Sequence, residues 1–178
     1  GFTARQRVEQ VRKQIMEVLN ASEGHVIFTS CGSEANNLAL KGLVCSGSQC
    51  AHSMCHANSF HYITTAVEHP SVIQTFECLQ HIGAEVTILP VDQYGMVDPD
   101  DVRKAIKTNT ILVSVMMGNN EVGTIMPVGD IGKICREKGV TFHVDAVQTV
   151  GKMPIQVDDQ NIDLLSLSGH KLNAPKGI

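Results

Sequence analysis

TILVSVMMGNNEVGTIMPVGDIGKICREKGVTFHVDA, Thr110–Ala146, reads as strand, helix, strand. TILVSVMM is a near-continuous apolar run of strand length, the pattern of a strand buried on both faces. An amphipathic helix is expected over Val128 to Lys138, followed by a second apolar strand, VTFHVDA. Working outward, FHYITTAV precedes a helix from Pro70 to Ile82, and EVTILPV precedes a helix from Pro99 to Ile106. IDLLSLSGHK supplies a further strand after Ala146. Towards the N-terminus, Thr3 to Asn20 place Val8, Val11, Ile15, Val18 and Leu19 on one helical stripe. His25–Thr29 (HVIFT) is expected as a short buried strand, and SCGSEANNLALKGLV as a turn feeding another helix. Such alternation predicts a three-layer α/β sandwich: a mainly parallel sheet, covered on both faces through right-handed crossovers.

The 178 residues, 43% hydrophobic and 18% charged, suffice for one globular domain with a substantial core. A net charge of -4, from 14 basic and 18 acidic residues scattered along the chain, offers no basic face for nucleic acid or an anionic membrane. No apolar run reaches the roughly 20 residues of a bilayer span, and the charged, helical start is unlike a signal peptide. Cys31, Cys78 and Cys135 stand isolated, which suits reduced thiols in a cytosolic compartment. Both ends read as cut, so the sequence is expected to be a fragment.

Cys45 to Phe60, CSGSQCAHSMCHANSF, is a polar stretch without periodicity and reads as a loop insertion. Thiols and imidazoles are ligands for zinc or an iron-sulfur centre, but the spacing matches no common metal knuckle, so no metal is assigned.

Open parallel sheets bind ligands beyond the carboxyl ends of their strands. Five segments lie there: CGSEANN, EHPSV, GNNEVGT, HVDAVQ and SLSGHK. Each alone has an ordinary explanation, such as a glycine turn, a helix cap at Gly32-Ser33 or a strand-end aspartate at Asp145. In this order, TSCGSEANN, AVEHPSV, GNNEVGT, HVDAVQTVGK and SGHKLNAPKG resemble the motif series of cysteine desulfurases and selenocysteine lyases. These are class V members of the fold type I pyridoxal-phosphate enzymes, and the resemblance covers nearly the whole chain.

The resemblance implies the large cofactor-binding domain of such an enzyme, with pyridoxal 5'-phosphate as cofactor. Lys171 then forms the Schiff base, since only an amine makes an imine. Asp145 pairs with the pyridinium nitrogen, and Gln148 donates to the phenolic oxygen. His69 lies over the ring and serves in proton transfer, while Asn120 contacts substrate carboxylate and cofactor oxygen. Gly32, Ser33, Ser168 and His170 hold the phosphate, the first two at a helix's positive end. Serine at 33 replaces the family's commoner threonine and keeps the hydroxyl; NAPKG after Lys171 departs from the commoner aromatic and Gly-Pro form.

The implied reaction takes sulfur from L-cysteine, giving alanine and an enzyme persulfide for iron-sulfur assembly or tRNA thiolation. L-selenocysteine is the alternative substrate. The implied partners are a sulfur-acceptor or scaffold protein and a second copy in a homodimer, in the cytoplasm or, in a eukaryote, the mitochondrion. The family's nucleophilic cysteine lies well beyond the lysine, and none of the six cysteines here matches it, so residues 1–178 alone are expected to be inactive. An N-terminal segment and a C-terminal small domain are expected to be missing. Two readings stay open beside this one: a selenocysteine lyase or class V aminotransferase, and a non-catalytic or metal-binding paralogue.

Overall fold

The computed structural model describes residues 1–43 and 60–177. The elements, in chain order, are α1 (Phe2–Val18), α2 (Gly32–Gly42), β1 (His61–Thr65), α3 (Pro70–His81), β2 (Glu85–Leu89), α4 (Pro99–Ala105), β3 (Thr110–Met116), α5 (Val128–Lys138), β4 (Thr141–Asp145) and β5 (Leu164–Ser166). A 3-10 turn, Gly169–Leu172, follows β5. All strand pairs are parallel, in the order β2-β1-β3-β4-β5. The Cys45–Phe60 insertion lies outside the described residues except for Phe60.

Side chains alternate across the sheet as strand geometry requires. Ile63, Val113, Val115, Phe142 and Val144 enter one apolar core with Ile131 and Cys135 of α5. Tyr62 and Leu112 enter the other with Leu40 of α2 and Val72, Phe76 and Leu79 of α3. From β1 the chain steps one way to β2, and from β3 it steps the other way to β4. The switch between β1 and β3 opens a crevice at their carboxyl ends, where ligands bind in sheets of this kind.

The α2/α3 face changes character along the strands. At its apolar end lie Tyr62 and Leu112. One step on, buried His143 bridges three strands, its Nδ1 2.8 Å from Ser114 Oγ and its Nε2 2.9 Å from Ser166 Oγ. Burial pushes this imidazole down to about 3. Another step brings Met116 and Asp145, partners in register, to the pocket.

The three-layer parallel architecture matches the expectation, and α5 has the predicted bounds. It ends because Gly139 takes the left-handed conformation (φ 67°), which an L side chain resists. Four local expectations need correction. HVIFT is not a strand: it pairs with none of the five, and Ile27 is 66% exposed. An apolar run becomes a strand only when a neighbour accepts its ladder hydrogen bonds, and among the described residues no backbone hydrogen bond joins 25–29 to a strand. The α1 stripe is also largely uncovered, with Val8, Val11 and Val18 exposed and only Ile15 and Leu19 reaching the core. Finally, β1 stops at Thr65 rather than Val67, and Lys171 sits in the 3-10 turn rather than at a strand end.

Candidate active site

One pocket lies over the crevice and collects every site residue expected from the sequence: Gly32, Ser33, His69, Asn120, Asp145, Gln148, Ser168, His170 and Lys171. Each reaches it by a local device. Gly32 starts α2, and a Cβ there would stand 3.1 Å from Val147 Cγ2 and 3.3 Å from Ser168 Cβ, so glycine lets the helix start close against both loops. Ser30 donates from its N–H and hydroxyl to Glu34 Oε2, both at 2.6 Å, which fixes the entry into α2. Cys31, the N-cap, also lines the pocket, and its thiol is pushed down first by the Glu34 N–H and then by the Ser30 hydroxyl.

Asp145 ends β4 and is 5% exposed. Its Oδ1 accepts the Val147 N–H at 3.0 Å and its Oδ2 accepts Asn36 Nδ2 at 2.8 Å, so the carboxyl group is aimed from two sides. In the β3–α5 loop, Asn119 serves structure: it donates to the Val67 carbonyl at 3.1 Å and accepts the N–H groups of Glu121 and Val122. That tether holds the loop against the end of β1 and leaves its neighbour Asn120 on the pocket wall. Ser168, 2% exposed, lies 2.8 Å through Oγ from His170 Nδ1, which pins that imidazole. The Lys171 N–H donates to the Ser168 carbonyl at 3.1 Å, and the lysine side chain stays exposed on the rim.

His69 caps α3, with Pro70 in the first turn. Its Nδ1 accepts the Ser71 N–H at 3.1 Å and lies 2.8 Å from Ser71 Oγ. Beside it, Glu68 is 7% exposed, and its Oε1 accepts the Thr65 hydroxyl at 2.7 Å and the Met116 N–H at 2.9 Å. Its Oε2 is buried without a partner. Burial pushes this carboxyl up to about 8; the two donors oppose the shift, and Asp145 adds to it.

Asn36, Ser71 and Met116 line the pocket, and Glu68 lies under it, without having been singled out from the sequence. Asn36 and Ser71 stand inside the quoted CGSEANN and EHPSV motifs, but their roles come from contacts that sequence spacing does not reveal. Asn36 and Asp145 are 109 residues apart.

Cys31, Cys78 and Cys135 are free thiols. Burial, with Asp163 adding, raises Cys135 to about 12, so it behaves as an apolar core residue. Among the described residues, no helix is long and apolar enough to cross a membrane.

Residues 1–178 match the profile of the family described as Aminotransferase class-V. The cysteine desulfurase IscS of Dictyoglomus turgidum is 44% identical over 178 residues, all of this chain and 43% of the relative. That of Methanosarcina thermophila is 45% identical over 177 residues, 99% of this chain and 42% of the relative. The mitosomal cysteine desulfurase of Trachipleistophora hominis is 44% identical over the whole chain, covering 39% of the relative. The chain therefore spans about two fifths of these relatives. Among solved structures, a NifS-like protein superposes with TM-score 0.88 at 37% identity, over 99% of this chain and 47% of the other. SspA in complex with cysteine superposes with TM-score 0.84 at 37% identity, over 99% of this chain and 50% of the other. Sequence, fold and the gathered strand-end residues agree, and the chain belongs to the aminotransferase class-V family.

Proposed function

We propose that this chain is the cofactor-holding part of a pyridoxal-phosphate-dependent cysteine desulfurase, which takes sulfur from L-cysteine and leaves L-alanine. One observation carries the reading: a single pocket at the carboxyl ends of β1, β3, β4 and β5 gathers a buried carboxylate, an exposed amine, an imidazole and a hydroxyl-bearing helix start. The similarity to named cysteine desulfurases, and to SspA in complex with cysteine, supports the substrate.

Pyridoxal 5'-phosphate fits this donor set. Asp145 on the floor is the anionic group that would face the ring nitrogen, and buried Asn36 Oδ1, an acceptor without a partner, leaves polar capacity beside it. Ser33, Ser168, His170 and the start of α2 would hold the phosphate, where N–H groups and the helix's positive end favour an anion. Gln148, half-buried on the same wall, would donate to the phenolic oxygen. When bound, the cofactor supplies an electron sink for bonds broken at the substrate's α-carbon.

The remaining work falls to residues of the chain. Lys171 would hold the cofactor through its amine, and that amine, when free, can take a proton. Asn120 would meet the substrate carboxylate, and His69 would face the reacting atoms. The sulfur-accepting thiol, by resemblance to the family, follows Lys171 outside residues 1–178. Residues 1–178 form the large domain, with 45–60 as an insertion. The whole protein works as a homodimer, handing sulfur to an iron-sulfur scaffold or another acceptor. Its compartment keeps thiols reduced, either the cytoplasm or, as with the mitosomal relative, an organelle.

The test uses full-length protein loaded with the cofactor. L-cysteine should yield alanine and reducible sulfur in equal amounts. Conversion of an amino acid to its 2-oxo acid without sulfur release would make the protein an aminotransferase instead.

A further inference from the structure

The hydrogen bonds around Asn36 form a chain with only one consistent direction. Asn36 Nδ2 lies 2.8 Å from Asp145 Oδ2 and 3.0 Å from Ser71 Oγ, so its two N–H groups go one to each acceptor. The reverse amide orientation would set Asn36 Oδ1 against a carboxylate oxygen. The Ser71 hydroxyl accepts from Asn36, which leaves its single proton for His69 Nδ1, 2.8 Å away. The Ser71 backbone N–H, which can only donate, points at the same nitrogen from 3.1 Å. With two donors directed at it, Nδ1 has no room for a proton of its own.

We propose that Asn36 and Ser71 are positioning residues that hold the neutral His69 ring as its Nε2–H tautomer, so that the imidazole meets the bound substrate as a fixed hydrogen-bond donor. A ring held this way takes a substrate proton at Nε2 only through its minor tautomer, so it serves first as a donor that orients or polarises an electronegative substrate atom. One amide, Asn36, also ties this arrangement to Asp145, so both residues are set from the same point on α2. The catalytic part of the proposal rests on the reading of His69 as the imidazole over the substrate; the tautomer itself rests on hydrogen-bond geometry alone.

The experiment is long-range proton–nitrogen correlation NMR on full-length, cofactor-loaded protein labelled with ¹⁵N-histidine, with His69 assigned by difference from His69→Gln. The wild type should show an acceptor-type Nδ1 and a proton-bearing Nε2. Ser71→Thr, which keeps both donors, should retain that pattern. Ser71→Ala, which keeps only the backbone donor, should lower the Nε2–H to Nδ1–H ratio by roughly fivefold, the worth of one ordinary hydrogen bond. A proton-bearing Nδ1, or a tautomer-averaged pair in the wild type, overturns the proposal without recourse to any variant. Visible absorbance of the same samples separates this from the functional reading: the Nε2–H signature without bound cofactor would sink that reading while supporting the tautomer.

Discussion

The rim of the pocket and its floor are made of different material. At the rim, Lys171, His170, His69 and Asn120 are exposed side chains on turns and loops. On and under the floor, Asp145, Asn36, Glu68 and Ser168 are 5%, 2%, 7% and 2% exposed, and each is held by named hydrogen bonds. Among the rim groups, Lys171 is the one that would exchange covalent partners; His69 and His170, though exposed, are held by Ser71 and Ser168. The difference predicts that rim substitutions remove function with little cost to stability, while floor substitutions disturb both.

The largest effect expected on the floor is from Asp145→Asn. The amide can accept from Asn36 or from Val147 but not from both, so the fold survives at a cost of about 1–3 kcal/mol, and the side chain cannot supply a negative charge to the ring nitrogen. Turnover by the full-length protein should fall about 10²- to 10³-fold while the cofactor still binds. Steady-state kinetics beside a cofactor titration checks this, and unchanged turnover would return Asp145 to a structural role.

Glu68 sharpens the comparison through pH. Its folded value near 8 lies above the ordinary 4.5 because burial disfavours the charged form. The native state therefore holds the proton more tightly, and the associated stability is complete below about 4.5 and lost as pH rises through 8. Between pH 5 and 8.5 the wild type should lose on the order of a few kcal/mol relative to Glu68→Gln, read from denaturant midpoints. Parallel curves for the two proteins would show that Glu68 does not carry the proton. His143 acts with the opposite sign: held near 3 against 6.5, it contributes stability above 6.5 that is lost as pH falls through 3.

Asn36→Ala comes next. It strips a donor from Asp145 and another from Ser71 within a helix that tolerates alanine, and should cost about 1–3 kcal/mol, measured by chemical denaturation. Lys171→Ala, on the exposed rim, should change stability by no more than about 0.5 kcal/mol. If the two costs came out equal, rim and floor would not differ in the way described. Gly32→Ala should have a small effect on stability and function together: Val147 and Ser168 need give only a few tenths of an ångström, at about 1 kcal/mol or less, with slightly weaker phosphate binding.

The sequence announces the rim and only part of the floor. Lys171, His69, Asp145 and Ser168 each follow an apolar run near the end of a predicted strand, and the ordered series of these segments, through its resemblance to a known family, marks them as site residues. The run of alternating strands and helices likewise points to the three-layer fold, with α5 at the bounds expected. Glu68 and Asn36 were not legible in the same way. Glu68 is defined by a bond to Met116, 48 residues away, and Asn36 by its bond to Asp145. HVIFT misled for the converse reason: its composition is that of a strand, but pairing depends on a neighbour that local sequence does not specify.

The most direct test of the account is to find where the cofactor is attached. Full-length protein loaded with pyridoxal 5'-phosphate should be reduced with borohydride, digested and mapped by mass spectrometry. A single modified peptide carrying the reduced cofactor on Lys171, absent from Lys171→Ala, is expected. Attachment to another lysine, or an adduct that persists in the variant, would contradict it.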